Sequence, residues 1–294
     1  MARTALFFLN QPSGAAPAHD PSLPAIWESD PSLPQLRVQD WGVTRGDGVF
    51  ESIGVVDSVA RGVEAHLERF ERSARTLDLP VPDRDAWRTA ITRAAQAVAP
   101  MPAGYIRAVI TRGVEGDGRP TGWVYAAAQP DHSGARIDGV SVVVLDRGMR
   151  HDVNETSPWL LGGAKTLSYA INRAAVREAT RRNASDVVFV SSDGYLLEGP
   201  TSSLLLLADG TLVTPPTGKG ILEGTTQAAI FRWASAHGLR TEYRLLPVED
   251  LARSEAAWLV SSGRGAAPIR AVDGSPHPVD RELTNAINAY IADL

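Results

Sequence analysis

The stretch Trp159-Leu160-Leu161-Gly162-Gly163-Ala164-Lys165-Thr166-Leu167-Ser168-Tyr169 holds one of the two lysines in this 294-residue chain. The other, Lys219, stands between two glycines in a Pro/Gly loop, and the remaining 27 of 29 basic residues are arginine. Arginine stays protonated, whereas a lysine amine can lose its proton and become a nucleophile. A lysine kept in so arginine-biased a chain, on a Gly/Ala-rich approach to an expected helix over 165–182, is a candidate for covalent chemistry, because its amine can form a Schiff base with a carbonyl compound. The competing reading is a surface lysine, which suits Lys219 better than Lys165.

Working outward, residues 49–56 read as a strand that pairs back on 59–63 through the Asp57-Ser58 turn. Residues 64–79 read as a helix, with Leu67, Phe70, Ala74 and Leu77 at three- and four-residue spacing and Pro80 as its stop. A second amphipathic helix spans 85–98. Strands at 105–111 and 123–128 flank a Gly-rich loop over 113–122. A polar Pro/Gly segment, 129–139, reads as a linker. Beyond it come strands at 140–145 and 186–191, a turn at Asp193-Gly194, and a hairpin of 204–207 with 211–213 across Asp209-Gly210. A helix at 225–236, a strand at 257–261 and a helix at 285–294 complete the chain. Without regular βαβ alternation the fold class is α+β. The expected division is a small N-terminal domain (1–128), a linker (129–139) and a large domain (140–294).

Composition narrows the function. A net charge of −5 without a basic run argues against nucleic-acid binding. No apolar run is long enough to span a membrane, and the first residues turn polar too quickly for a secretory signal, so a cytoplasmic location is expected. The absence of cysteine excludes disulfides and thiolate chemistry. His66, His132 and His151 lack metal spacing; His66 reads as helical packing and no metal is expected.

Three further segments point to an anionic ligand. Gly220-Ile221-Leu222-Glu223-Gly224-Thr225-Thr226-Gln227 runs from a loop into a helix, where free N–H groups and two hydroxyls suit a phosphate; a plain threonine N-cap is the alternative. Ser261-Ser262-Gly263-Arg264-Gly265 follows a strand as a second small-residue loop. Arg69 lies on the first helix, where an exposed arginine is the ordinary reading. Glu198 closes a strand-turn-strand segment before Gly199-Pro200, and a carboxylate there would suit a protonated ring nitrogen; an exposed turn glutamate is the alternative.

Taken in order, Gly46-Asp47-Gly48-Val49-Phe50-Glu51, His66-Leu67-Glu68-Arg69, Lys165, Glu198-Gly199 and Gly224-Thr225-Thr226 resemble the fold-type IV pyridoxal-phosphate enzymes (the class IV aminotransferase family), from about residue 38 onward. The stretch 161–172, with 198–203, looks most like the actinobacterial branch usually called aminodeoxychorismate lyase. The resemblance implies a two-domain fold, a small α/β domain followed by a larger α+β domain, and a homodimer in which two subunits build each site. It implies pyridoxal 5′-phosphate as cofactor, with Lys165 as the Schiff-base lysine and proton shuttle and Glu198 on the pyridine nitrogen. Tyr169, expected one helical turn after Lys165, falls to the phenolic oxygen, and Arg69, Thr225, Thr226 and Ser262 fall to the phosphate. The chain departs from the family pattern at Ser203, Gln227 and Arg45. Arg45 adds a cation that favours an acidic substrate.

The expected reaction is release of 4-aminobenzoate and pyruvate from 4-amino-4-deoxychorismate, in folate biosynthesis. The alternative is an aminotransferase acting on branched-chain or D-amino acids with a 2-oxo acid acceptor. Both need carboxylate anchors, for which Arg45, Arg107, Arg112 and Arg264 are candidates, with Arg119 behind them. At most two of these five arginines are expected to touch substrate.

Overall fold

The computed structural model describes residues 4–15, 18, 20–218 and 220–294, so Lys219 lies outside the described residues. It is an α+β protein of two compact units, residues 1–130 with 164–169, and residues 131–163 with 170–294.

The first unit contains β1 (Thr4–Leu9), β2 (Ile26–Ser29), α1 (Trp41–Thr44), β3 (Gly48–Val56), β4 (Val59–Ala60), α2 (Val63–Thr76), α3 (Arg84–Ala97), β5 (Ala103–Thr111) and β6 (Thr121–Ala128). Its six-stranded sheet is antiparallel in the order β2-β1-β6-β5-β3-β4. The β3–β4 turn is the expected one, with Asp57 and Ser58 both at positive φ. Strand alternation decides which side chains meet the helices. Val49, Ile53 and Val55 are buried on one face, and α2 presents Leu67, Phe70 and Ala74 at helical spacing. Phe70 meets Trp87 of α3 edge to face, with ring centroids 4.9 Å apart. The Trp87 indole donates to the Pro12 carbonyl at 2.8 Å, so a fully buried tryptophan keeps its hydrogen bond.

The second unit contains α4 (Ser133–Ile137), β7 (Val140–Asp146), α5 (Val153–Thr156), a 3₁₀ turn (Pro158–Leu160), α6 (Ala170–Arg181), β8 (Asp186–Val190), β9 (Ser203–Ala208), β10 (Thr211–Thr214), α7 (Thr225–Ala236), β11 (Arg240–Tyr243), α8 (Glu249–Arg253), β12 (Ala256–Ser261), β13 (Gly265–Val272), β14 (Ser275–Pro276) and α9 (Arg281–Ala292). Its sheet runs β11-β10-β9-β12-β13-β7-β8, with β14 against β13. The pairs β7–β8, β13–β7 and β10–β11 are parallel and the rest antiparallel. The apolar runs Leu204–Leu207 and Ala256–Val260 are continuous because both faces are covered. Leu204, Leu206, Ala257 and Leu259 pack on one side with Leu246 and Leu251. Leu205, Leu207, Trp258 and Val260 pack on the other with Ile230 of α7 and Ile287 of α9.

One expected helix needs correction. The helix foreseen over 165–182 begins at Ala170. Residues 164–169 belong to the first unit, where their backbone groups bond to β3 instead of to the next helical turn. Strand β13 stands in a segment given no element from the sequence, and it carries a proline, Pro268, opposite Trp258.

The Gly-rich loop between β5 and β6 yields a stability test. Gly113 and Gly116 both have positive φ (89° and 81°). A Cβ on Gly113 would collide with the Arg119 carbonyl, while nothing lies within 4 Å of one on Gly116. Gly116→Ala is expected to cost about 1–2 kcal/mol for the left-handed backbone alone, and Gly113→Ala distinctly more. Chemical unfolding of both variants decides; equal losses would refute the steric argument.

Candidate active site

Lys165 is held by its backbone on three sides within the first unit. Its N–H donates to Ser73 Oγ of α2 at 3.1 Å. Its carbonyl accepts from the Phe50 N–H at 3.0 Å, and the Leu167 N–H donates to the Gly48 carbonyl at 2.8 Å. Thr166 bridges Val49, so the lysine segment forms a short antiparallel pairing along β3. Gly48 permits this approach, since a Cβ there would lie 2.7 Å from both the Ile110 carbonyl and Leu167 Cδ1. The side chain is buried, with Nζ 4.5 Å from the Phe50 ring centroid and 3.4 Å from the Tyr169 hydroxyl. Tyr169 therefore reaches Lys165, but across a compact turn, in which its N–H donates to the Leu167 carbonyl, and not along a helix face.

Beside it lies a buried polar cluster. Arg69 donates from Nε to Glu51 Oε1 at 2.8 Å and from Nη2 to Oε2 at 2.6 Å. His66 Nδ1 lies 2.7 Å from the same Oε2. Burial by itself would raise the Glu51 pKa. The Arg69 charge and the hydrogen bonds from Arg69 and His66 outweigh it and hold the value down to about 2. Burial pushes the His66 imidazole below its ordinary value, against the pull of Glu51 and with the help of the Arg69 and Lys165 charges. His66 thus does more than pack, and Glu51, in the Gly46–Glu51 motif, joins the candidate residues of the site.

In the second unit, residues 196–198 fold back on β8. Phe189 N–H donates to the Glu198 carbonyl at 2.9 Å. A Glu198 carboxylate oxygen accepts from the Leu222 N–H at 3.2 Å, in the loop that leads to α7. A pocket here is lined by Arg147, Asn172, Phe189, Leu197, Glu198 and Ile221, among others. Arg147 lies over the Phe189 ring, 4.7 Å from its centroid, and donates to Asn172 Oδ1 at 3.4 Å. Neither residue was singled out from the sequence, where Arg147 is one arginine among 27. At the start of α7, Gly224 is the N-cap and brings no side-chain acceptor to the first turn, where Thr225 and the buried Thr226 stand. Gln227 is buried and bonds Tyr243 Oη at 3.0 Å. Ser262 lies in the tight turn between β12 and β13. Elsewhere in this unit His151 Nδ1 lies 2.7 Å from Asp193, and Arg150 pairs with both Asp152 and Asp193.

The arginines expected to hold substrate differ in their commitments. Arg112 donates to both Asp47 carboxylate oxygens at 2.6 and 3.2 Å and to the Leu77 and Asp78 carbonyls that follow α2. Arg264 donates to Asp186 at 2.6 Å from a mostly buried position. Arg119 is paired with Asp117. Arg45 is exposed at the end of α1, and Arg107 is exposed on β5, its guanidinium 5.4 Å from the Tyr105 ring centroid.

The amino-transferase class IV family profile matches residues 48–272, and the chain belongs to that family. It is 46% identical over 258 residues to the bifunctional aminodeoxychorismate lyase / D-amino acid transaminase of Mycobacterium tuberculosis, covering 84% of this chain and 89% of that one. It superposes on a fold IV transaminase from Curtobacterium pusillum with a TM-score of 0.93 at 49% identity, covering 98% and 97% of the two chains. It superposes on the pyridoxal-phosphate-bound form of a hypothetical aminotransferase from Mycobacterium tuberculosis with a TM-score of 0.89 at 40% identity, covering 99% of each. The chain is a fold-type IV enzyme, and pyridoxal 5′-phosphate is its cofactor. Each unit carries side chains or backbone groups of the chemistry such a group needs, a buried lysine amine and a buried arginine in the first and a carboxylate and a helix N-terminus in the second.

Both pKa shifts mean that the unfolded chain binds more protons than the native one in acid. Stability should therefore fall as pH drops, the His66 part from about 6.5 and the Glu51 part from about 4.5 down to about 2. In thermal melts across that range, Glu51→Gln is expected to lose part of the decline below pH 4.5. A slope identical to that of the unsubstituted protein would show that Glu51 does not carry it.

Proposed function

We propose that this enzyme is a 4-amino-4-deoxychorismate lyase that releases 4-aminobenzoate and pyruvate. The observation that carries the reading is the buried Lys165 amine beside Tyr169, in a chain 46% identical to a bifunctional relative whose name includes that activity. Bound pyridoxal phosphate supplies an electron sink next to the substrate nitrogen. In this reading Lys165 Nζ, in its neutral form, accepts the proton from the substrate carbon bearing that nitrogen. The Tyr169 hydroxyl serves the phenolic oxygen. Glu198 keeps a proton on the pyridine nitrogen. Arg69, the Thr225 and Thr226 N–H groups, the Thr226 hydroxyl and Ser262 hold the phosphate. Enolpyruvate leaves readily because its loss makes the ring aromatic.

Of the arginines, Arg107 and Arg45 are the stronger candidates for substrate carboxylates, since Arg112 and Arg264 already hold acidic partners. Arg107 lies beside a tyrosine ring, which gives a planar carboxylate a fork and a wall. The enzyme is further read as a cytoplasmic homodimer. A second reading, transamination of D-amino acids, is favoured by the other activity in that relative's name and by the resemblance to a fold IV transaminase.

Incubation with aminodeoxychorismate should yield 4-aminobenzoate and pyruvate in equal amounts. Lys165→Ala should lower the rate at least about a thousandfold. If neither product forms while a D-amino acid aminates the cofactor, the lyase reading fails and the transaminase stands. Glu198→Gln should slow proton removal by on the order of tenfold or more, visible as a substrate α-deuterium isotope effect on a slower step. An unchanged rate would detach Glu198 from the ring nitrogen.

A further inference from the structure

We infer that Glu51 is the positioning residue of the Arg69 guanidinium, fixing which edge of that arginine is turned to an anion. The inference rests on the proposed reading of Arg69 as a phosphate ligand and assigns a residue that reading leaves out.

The geometry is specific. Both oxygens of Glu51 are occupied by one edge of Arg69, Nε and Nη2, in a side-by-side fork at 2.8 and 2.6 Å. Because a guanidinium is planar, two bonds to one edge fix the plane and the heading of the other edge. Glu51 stands in the middle of β3, a strand paired with β5 along its whole length, so the carboxylate itself has little freedom. His66, one turn before Arg69 on α2, closes on the same Oε2 at 2.7 Å and stops the carboxylate from rotating. All three side chains are buried, Glu51 to 1% exposure.

A buried ion pair of this kind is a weak way to hold a strand to a helix. Removing two charges from water costs about as much as their attraction returns, and apolar residues of similar volume would do as well or better. What such a pair supplies is direction. Burial pushes the His66 imidazole below its ordinary value, which favours its neutral form, and Arg69 is the guanidinium paired with the Glu51 carboxylate. The neighbouring residue on β3 performs the matching task for the lysine. Phe50 binds the Lys165 carbonyl through its N–H and lies under Nζ with its ring. Two consecutive strand residues thus set the arginine and the lysine, one from each face.

The test measures binding, not turnover. Dissociation constants of pyridoxal 5′-phosphate and of pyridoxal are obtained for the unsubstituted protein, Arg69→Ala, Glu51→Gln and the double variant. Arg69→Ala and Glu51→Gln should each weaken the phosphate form by on the order of tenfold and leave pyridoxal unchanged. The double variant should bind no worse than Arg69→Ala, since both act through one group. If Arg69→Ala lowers the ratio of the two affinities but Glu51→Gln weakens both ligands alike, or if the two losses add, Glu51 is a fold residue and the inference is overturned while the phosphate reading stands. If Arg69→Ala leaves the ratio unchanged, the phosphate reading falls and this inference with it. Should Glu51→Gln fail to fold, Glu51→Asp, which keeps the charge and withdraws the carboxylate by one methylene, is read by the same ratio.

Discussion

Three hydrogen bonds tie the backbone of residues 165–167 to β3 and to the Ser73 side chain of α2 and hold Lys165 where it is. A lysine side chain has four rotatable bonds, so a pinned backbone narrows where its amine can stand. Here the carbonyl of Lys165 is bound by Phe50, its N–H by Ser73, and the next turn by Gly48. The Gly-Asp-Gly motif before β3 follows from this, since a side chain on Gly48 would push Leu167 away. So does the commitment of Asp47 to Arg112, which ties the start of β3 to the carbonyls that follow α2. The motif quoted for the family resemblance begins a docking strip for the lysine segment.

The second unit solves a different problem. Its sheet is apolar on both faces, and each covering layer contributes side chains from elements far apart in the chain. Burial of each leucine contributes about 1.5–3 kcal/mol, so the stack over β9 and β12 is a rigid base. Polar groups are placed at its margins: Glu198 where the chain folds back on β8, the start of α7 beyond β10, and Ser262 in the turn after β12. Loops carry the candidate donors, and the sheet sets where those loops begin.

Arginine usage acquires a structural meaning alongside the chemical one. Arg69, Arg112 and Arg264 each hold a carboxylate in fixed geometry, and on the outside Arg84 and Arg88 tie α3 to Glu71 and Glu64 of α2. The exposed pairs contribute little to stability, the median for such pairs being about 0–1 kcal/mol. The buried one orients, which a flexible ammonium would do poorly.

The sequence by itself determined the periodic elements, since burial on one face leaves a readable spacing: α2 from Leu67, Phe70 and Ala74, α7 at its observed bounds, and the β9–β10 hairpin from Asp209-Gly210. It also singled out Lys165, because two lysines among 29 basic residues are conspicuous. Tertiary structure alone decided what Lys165 rests on. The helix expected to begin there starts at Ala170, because the hydrogen-bonding groups of β3, more than a hundred residues earlier, compete for the same backbone. The same holds for Glu51 and His66. Glu51 reads as an ordinary residue of an alternating strand and His66 as a helix residue; that the pleat turns one carboxylate onto one face of α2, and so onto Arg69, is a matter of which strand face packs on which helix. Local spacing records what each element buries, while the partner across the interface is fixed only when the chain closes on itself.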